Sequence, residues 1–359
     1  MKKIIAFHSN QLSITGTEIA LYDYAKNNID VLNNNSIIFF QKNNKNNNSK
    51  AIAKFENEFE VIAYEKKSEI DKLLQERNAD LLYAIKSGKN DGLVSKVIPT
   101  MVHAVFPTNP SEMHGSSYAY ISEWLSYHYS NNKIPCVPHI VEMPEITEDL
   151  RLELHIPEKA NVLGCYGGEN SFDIPEAIEA VRKVLDQTID TYFIYMHIEP
   201  FIEHERAIFL TGTTDILYKT KFINTCDAML HARLQGESFG LACGEFSVRN
   251  KPIITYAYNK HTHHHDVLGS KGFYYTDMES LVKIILSLDP TQLKKFDWNQ
   301  YSSRYNKNKV MSLFDEHLIY PALKNKYFSR PEIKINWHDK ISYYRFKAKK
   351  IMEPFTISR

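Results

Sequence analysis

Glycine, cysteine, excess charge and long apolar runs are all scarce in this chain, and each shortage narrows the reading. Thirteen of 359 residues are glycine. No Gly-x-Gly-x-x-Gly follows the first apolar run, which argues against a dinucleotide oxidoreductase. The four cysteines, Cys136, Cys165, Cys226 and Cys243, are scattered and form no Cys-x-x-Cys pair. They read as reduced, mostly buried thiols in a cytosol-like compartment, and the expected location is cytoplasmic. Cys226 has no companion base at a diagnostic position, so a cysteine nucleophile is not expected. No stretch approaches the roughly 20 apolar residues that span a bilayer. The apolar residues after Lys2 and Lys3 are too few for a signal-peptide core, so a soluble protein is expected. Lys and Arg number 43 and so do Asp and Glu. That balance argues against a broad nucleic-acid-binding surface.

What is present is enough apolar residue, 43% of the chain, for globular cores. The length favours two of them. Short apolar runs at 2–7, 36–40, 61–64, 80–85, 99–106 and 118–121 read as strands, with helices over 18–26 and 68–75. After a proline-punctuated connector the pattern restarts near residue 160. Strands are expected at 160–166, 192–197, 207–211, 228–231 and 252–256, and a helix at 175–185. Alternating strands and helices predict parallel α/β architecture. The expected domains are 1–148 and 149–330, followed by a helical tail over 331–359. The Asn-rich runs at 33–35 and 43–48 read as solvated loops.

Two acids, Glu237 and Glu245, stand out around the glycine that opens a helix, Gly240. A helix N-terminus exposes unpaired N–H groups and binds anions. A carboxylate nearby suits sugar hydroxyls rather than phosphate. Amides for phosphate beside acids for hydroxyls describe a site for a nucleotide-sugar.

This segment resembles the E-x7-E motif of retaining glycosyltransferases of family 4. Other landmarks follow in the family's order. The residues Ser13 to Ala20 are similar to its Gly-Gly-x-Glu loop, with Thr15 in place of the first glycine. The residues Thr100 to Phe106 resemble its strand ending in an active-site histidine, His103. The residues Val162 to Gly168 resemble the first strand and turn of its second domain. The resemblance implies the GT-B fold: two Rossmann-like domains facing an interdomain cleft, with a C-terminal helix crossing back over 336–353. It implies that Glu245 binds the nucleotide ribose and that Glu237 and His103 face the transferred sugar. It implies donor contacts from Gly16, Thr17, Gly167, Gly168, Ser238, Phe239, Gly240 and Leu241. The donor would be a nucleoside diphosphate-sugar, UDP- or GDP-linked, and the acceptor a carbohydrate hydroxyl. No cofactor or metal is expected.

One departure concerns charge. The family carries an arginine and a lysine in the loop after the second domain's first strand. Here residues 167–173 contain no cation, so Arg233 is the expected substitute at the diphosphate. The histidine-rich run from His261 to Asp266 looks like a metal cluster, but adjacent side chains point apart, and no metal site is expected from it. Trp124, Tyr127 and Tyr129 are candidates for an acceptor surface or for core packing. The alternatives are a non-catalytic nucleotide-sugar or carbohydrate-binding protein, and an epimerase or phosphorylase on the same fold.

Overall fold

The computed structural model describes residues 2–325 and 327–333. The apolar runs become strands covered on both faces, as parallel sheets require. The first half contains β1 (Ile4–Ser9), β2 (Asn35–Gln41), β3 (Glu60–Tyr64), β4 (Leu81–Lys86), β5 (Thr100–Ala104) and β6 (Ser117–Tyr120). Every residue of β4 and β5 is buried. These strands form one sheet in the order β3-β2-β1-β4-β5-β6.

The second half contains β7 (Asn161–Tyr166), β8 (Thr191–Met196), β9 (Ala207–Leu210), β10 (Ala228–His231), β11 (Gly236–Glu237), β12 (Ile253–Tyr256), β13 (His261–Thr262) and β14 (Phe273–Tyr275). Its main sheet runs β14-β12-β10-β7-β8-β9, and the two-residue β11 and β13 pair beside it. The two main sheets share one winding. In each, the first strand lies between the second and the fourth of its half. The chain therefore reverses direction at β1/β4 and at β7/β10. Such switch points leave a crevice outside the carboxyl ends of the strands.

The helices on the sheet faces are α1 (Gly16–Asp30), α2 (Ser49–Glu56), α3 (Ile70–Glu76), α4 (Glu123–Ser130), α5 (Pro175–Gln187), α6 (Ile216–Thr225), α7 (Leu241–Val248), α8 (His263–Leu268), α9 (Met278–Leu286), α10 (Pro290–Leu293), α11 (Lys307–Phe314) and α12 (Tyr320–Lys324). Pro175 starts α5, and Ala177, Ala180, Val181, Val184 and Leu185 form its buried stripe, the spacing an amphipathic helix needs. Asn48 belongs to a run read as loop, yet its side chain accepts from the N–H groups of Lys50 and Ala51 and caps α2. Asp215 caps α6 by accepting from Leu217 and Tyr218. Neither α2 nor α6 was expected, because both are short and their apolar faces are interrupted.

The expected crossing helix over 336–353 lies outside the described residues. Within them, the chain already returns with α11, a π-helical turn (Asp315–Ile319) and α12. Phe314 is fully buried and its ring lies 5.2 Å from that of Tyr83 and 5.3 Å from that of Tyr24 in the first domain. Ser117 Oγ donates to the Leu318 carbonyl at 2.8 Å. Residues 307–324 thus pack against the first domain, although the sequence reading grouped them with the second. Removing this ring leaves a cavity among Phe7, Tyr24 and Tyr83. Phe314→Ala is expected to lower stability by about 3–5 kcal/mol in a denaturant titration. A loss below about 1 kcal/mol would show that the return does not hold the first domain.

Candidate functional site

The site is built from loops that follow the switch-point strands. The segment after β10 makes a turn and enters β11, which ends on Glu237. Gly240 then turns the chain into α7 with φ +87°, a conformation that disfavours any side chain. A Cβ there would also lie 3.2 Å from that of Glu237. Arg233 Nη1 lies 3.1 and 3.2 Å from the two Glu237 carboxylate oxygens. His231 Nε2 lies 3.3 Å from one of them, and its Nδ1 lies 2.9 Å from Thr255 Oγ1. Burial alone would raise the Glu237 pKa, but Arg233 and His231 outweigh it and hold the carboxyl down to about 2. Glu237 is therefore an anion throughout the neutral range and not a proton donor.

Glu245 projects from α7 into a separate cavity of about 200 Å³ between the domains. Ser13, Glu18, Asp23 and Lys54 line it from the first domain, and Thr213 and Lys219 line it from the second. Lys219 Nζ donates to Glu245 Oε1 at 2.6 Å, with the two side chains 8% and 5% exposed. Glu245 Oε2 is buried and has no hydrogen-bond partner among the described residues. Burial pushes the Glu245 pKa well up and the Lys219 pKa down. Glu18 braces the loop before α1: its carboxylate accepts from Ser9 at 2.9 Å, Ser13 at 2.7 Å, and Thr15.

No protein-family model matches the sequence, and no curated protein is significantly similar to it. Solved structures are similar in fold. Anabaena Alr3699/HepE in complex with UDP-glucose is 15% identical with a TM-score of 0.65, over 87% of this chain and 98% of that one. A glycosyltransferase from Rickettsia africae is 12% identical with a TM-score of 0.59, over 97% and 98%. A candidate UDP-N-acetylglucosamine 2-epimerase from Listeria monocytogenes is 12% identical with a TM-score of 0.57, over 94% and 100%. Each match covers most of both chains.

The chain has the GT-B fold.

Within this GT-B molecule, several residues named from sequence lie elsewhere than expected. His103 does not face the cleft. It is fully buried, with Nε2 donating to the Val137 carbonyl at 2.8 Å and Nδ1 accepting from Tyr83 Oη at 2.8 Å. Both ring nitrogens are occupied, and burial lowers the pKa to about 4, so His103 is a neutral core residue. Arg233 pairs with Glu237 through Nη1 alone and keeps its side chain 37% exposed, so the pairing does not withdraw the guanidinium from a diphosphate. Phe239 is buried against His139 and Tyr305 at ring distances of 4.9 and 5.1 Å, leaving only its backbone for a ligand. Ser238 Oγ donates across the domains to the Val105 carbonyl at 3.2 Å. A Cβ at Gly167 would lie 2.3 Å from Ser171 Oγ, whereas a Cβ at Gly16 or Gly168 would meet nothing. The space beside Gly16 and Thr17, at the start of α1, is therefore open. Gly240 and Leu241 begin α7, as the sequence implied.

The histidine-rich run divides: His261 and His263 turn to separate partners, while the rings of His264 and His265 stay 4.3 Å apart. His263 contacts the Phe239 carbonyl at 2.7 Å and Glu123 at 3.0 Å. His264 and His265 both meet Asn259, at 3.2 and 3.1 Å. The His261 ring packs on Trp124 at 4.9 Å. Among the described residues, no group of three or more His, Cys, Asp or Glu is placed to hold a metal ion. Trp124 is buried, and Tyr127 is exposed. No helix among the described residues is long and apolar enough to cross a membrane.

His231 and Lys219 were missed. His231 ends a strand six residues before Glu237, a position from which it was readable. Lys219 shares the buried face of α6 with Phe222 and Ile223, so its signal was a cation on an apolar stripe.

The Glu237 pKa depends on Arg233. A depressed carboxyl pKa gives stability that is present above the unfolded value, near 4.3, and lost as pH falls towards 2. Arg233→Met is expected to raise the Glu237 midpoint by at least one unit in a carboxyl-carbon NMR titration and to move the acid destabilisation to higher pH. An unchanged midpoint would remove Arg233 as the cause.

Proposed function

We propose that this protein is a retaining glycosyltransferase that moves a sugar from a nucleoside diphosphate-sugar to an acceptor hydroxyl. The observation that carries this reading is the buried Oε2 of Glu245, without a hydrogen-bond partner among the described residues, on a side chain that lines a cavity between two Rossmann-like domains. An unsatisfied buried acceptor calls for a donor, and a ribose hydroxyl supplies one. Anabaena HepE, similar in fold, holds UDP-glucose. At about 200 Å³ the cavity falls short of the roughly 300–1,000 Å³ typical of ligand pockets. We therefore place only the ribose there. The diphosphate would run towards the free amides of Gly240 and Leu241 and the open start of α1 at Gly16 and Thr17.

In the proposed transfer, the acceptor oxygen attacks the anomeric carbon on the face the nucleotide leaves. The breaking bond is the one from that carbon to the phosphate oxygen. A donor phosphate oxygen takes the acceptor's proton, so the chain needs no nucleophile of its own. Glu237, anionic at neutral pH, stabilises the positive charge developing at the anomeric carbon, and Arg233 and His231 keep it ionised and oriented. Binding the acceptor on the first domain and the donor on the second supplies proximity. The similarity to the Listeria protein keeps an epimerase as a second reading. Product analysis with the donor alone separates the two.

A donor panel of UDP- and GDP-sugars with released-nucleotide detection tests the proposal. Glu237→Gln is expected to lower turnover by roughly 10²–10³, as for the loss of one preorganised electrostatic contact, while affinity for the free nucleoside diphosphate is retained. Near-normal turnover would deny Glu237 a major role. Equal losses in both measurements would make it a general donor-binding residue instead.

A further inference from the structure

The interdomain cavity contains a pairing that the motif does not specify. Glu245 comes from α7 and Lys219 from the buried face of α6, and the two meet at 2.6 Å with almost no exposure. One carboxylate oxygen is taken by the ammonium, and the other is buried without a partner. A carboxylate free to rotate in water would present either oxygen. Here the lysine holds one, so the second has a fixed direction.

We propose that Lys219 is a positioning residue for nucleotide recognition: by holding Glu245 Oε1 at 2.6 Å, it opposes protonation of the carboxyl and turns Oε2 to accept from the ribose hydroxyls. The inference rests on the ribose assignment proposed above and adds the residue that makes it work. A lone carboxylate buried from water neutralises itself by taking up a proton, and a neutral acid is a weaker acceptor than an anion. Lys219 counters this without touching the ligand. The other charged groups facing the pair are Asp23 and Glu18 from α1, Lys54 from α2, Glu142 from the connector, and Asp215 at the start of α6. Glu18 is occupied by Ser9, Ser13 and Thr15. Glu142 accepts from the Lys307 N–H at 2.9 Å, and Asp215 caps its helix. Asp23 opposes the ionisation of Glu245 and Lys54 favours it. Among these groups, Lys219 alone makes a direct hydrogen bond to Glu245.

The test is calorimetric titration of the full chain with UDP, and with GDP in parallel, between about pH 6 and 8. Variants are Lys219→Met, Glu245→Gln and the double variant. The wild type is expected to bind one nucleotide with an affinity that changes less over this range than that of Lys219→Met. Lys219→Met is expected to bind it about tenfold more weakly at the acid end and to recover as pH rises, because Glu245 then ionises unaided. The double variant carries no buried charge in the pair, so it remains informative if the single variant fails to fold. It is expected to bind no more weakly than Glu245→Gln alone. Additive losses in the double variant would mean that Lys219 contacts the nucleotide itself and would overturn the proposal. So would a folded Lys219→Met with wild-type affinity and a flat pH profile. Wild-type protein that binds neither nucleotide would instead defeat the ribose assignment.

Discussion

A carboxylate withdrawn from water needs a cation or hydrogen-bond donors beside it, and the architecture of this cleft follows from meeting that need twice. Glu237 is held by Arg233 and His231, and Glu245 by Lys219. The two solutions differ in kind. Glu237 has both oxygens engaged by a guanidinium and lies well below the usual carboxylate range. Glu245 has one oxygen engaged and one without a partner among the described residues. Removing one partner of a buried pair leaves an uncompensated charge and is costly. The two cations are thus as much part of the site as the acids, although neither occupies the motif that marks the acids in sequence.

The fold supplies the positions. Two sheets wound in the same order place their switch points at β1/β4 and β7/β10; Glu18 follows β1 in the first turns of α1, and His231, Arg233 and Glu237 lie at and after the end of β10. The domains are tied together by Ser238 to Val105, by His263 and Tyr305 to Glu123, and by the return of residues 307–324 onto the first sheet.

Much of this was legible in sequence. The strands are continuous apolar runs, and their alternation with helices announces parallel sheets. Glu237, Gly240 and Glu245 could be located because their spacing is local to one strand–turn–helix unit. What was not legible depends on partners distant in sequence. His103 ends a strand and looked like a cleft residue, yet Tyr83 and the Val137 carbonyl, from separate segments, saturate its ring. The pairing of Arg233 with Glu237 was not legible, because it requires the turn between them to fold back. Asn48 was read as loop polarity, whereas its work is to cap α2. Lys219 carried only the signal of a charge on an apolar helix face. Its meaning appears once α6 packs beside α7.

The central claim is that the Glu245 cavity receives a ribose. The most direct measurement is the affinity of the wild-type chain for a nucleoside diphosphate beside its 2′-deoxy and 3′-deoxy analogues, using whichever of the uridine and guanosine series binds. A charge-assisted hydrogen bond contributes about 1.5–3 kcal/mol. At least one deoxy analogue should therefore bind roughly tenfold or more weakly than its parent. Equal affinity for the parent and both analogues would contradict the account, since Glu245 would then be making no contact with the sugar ring.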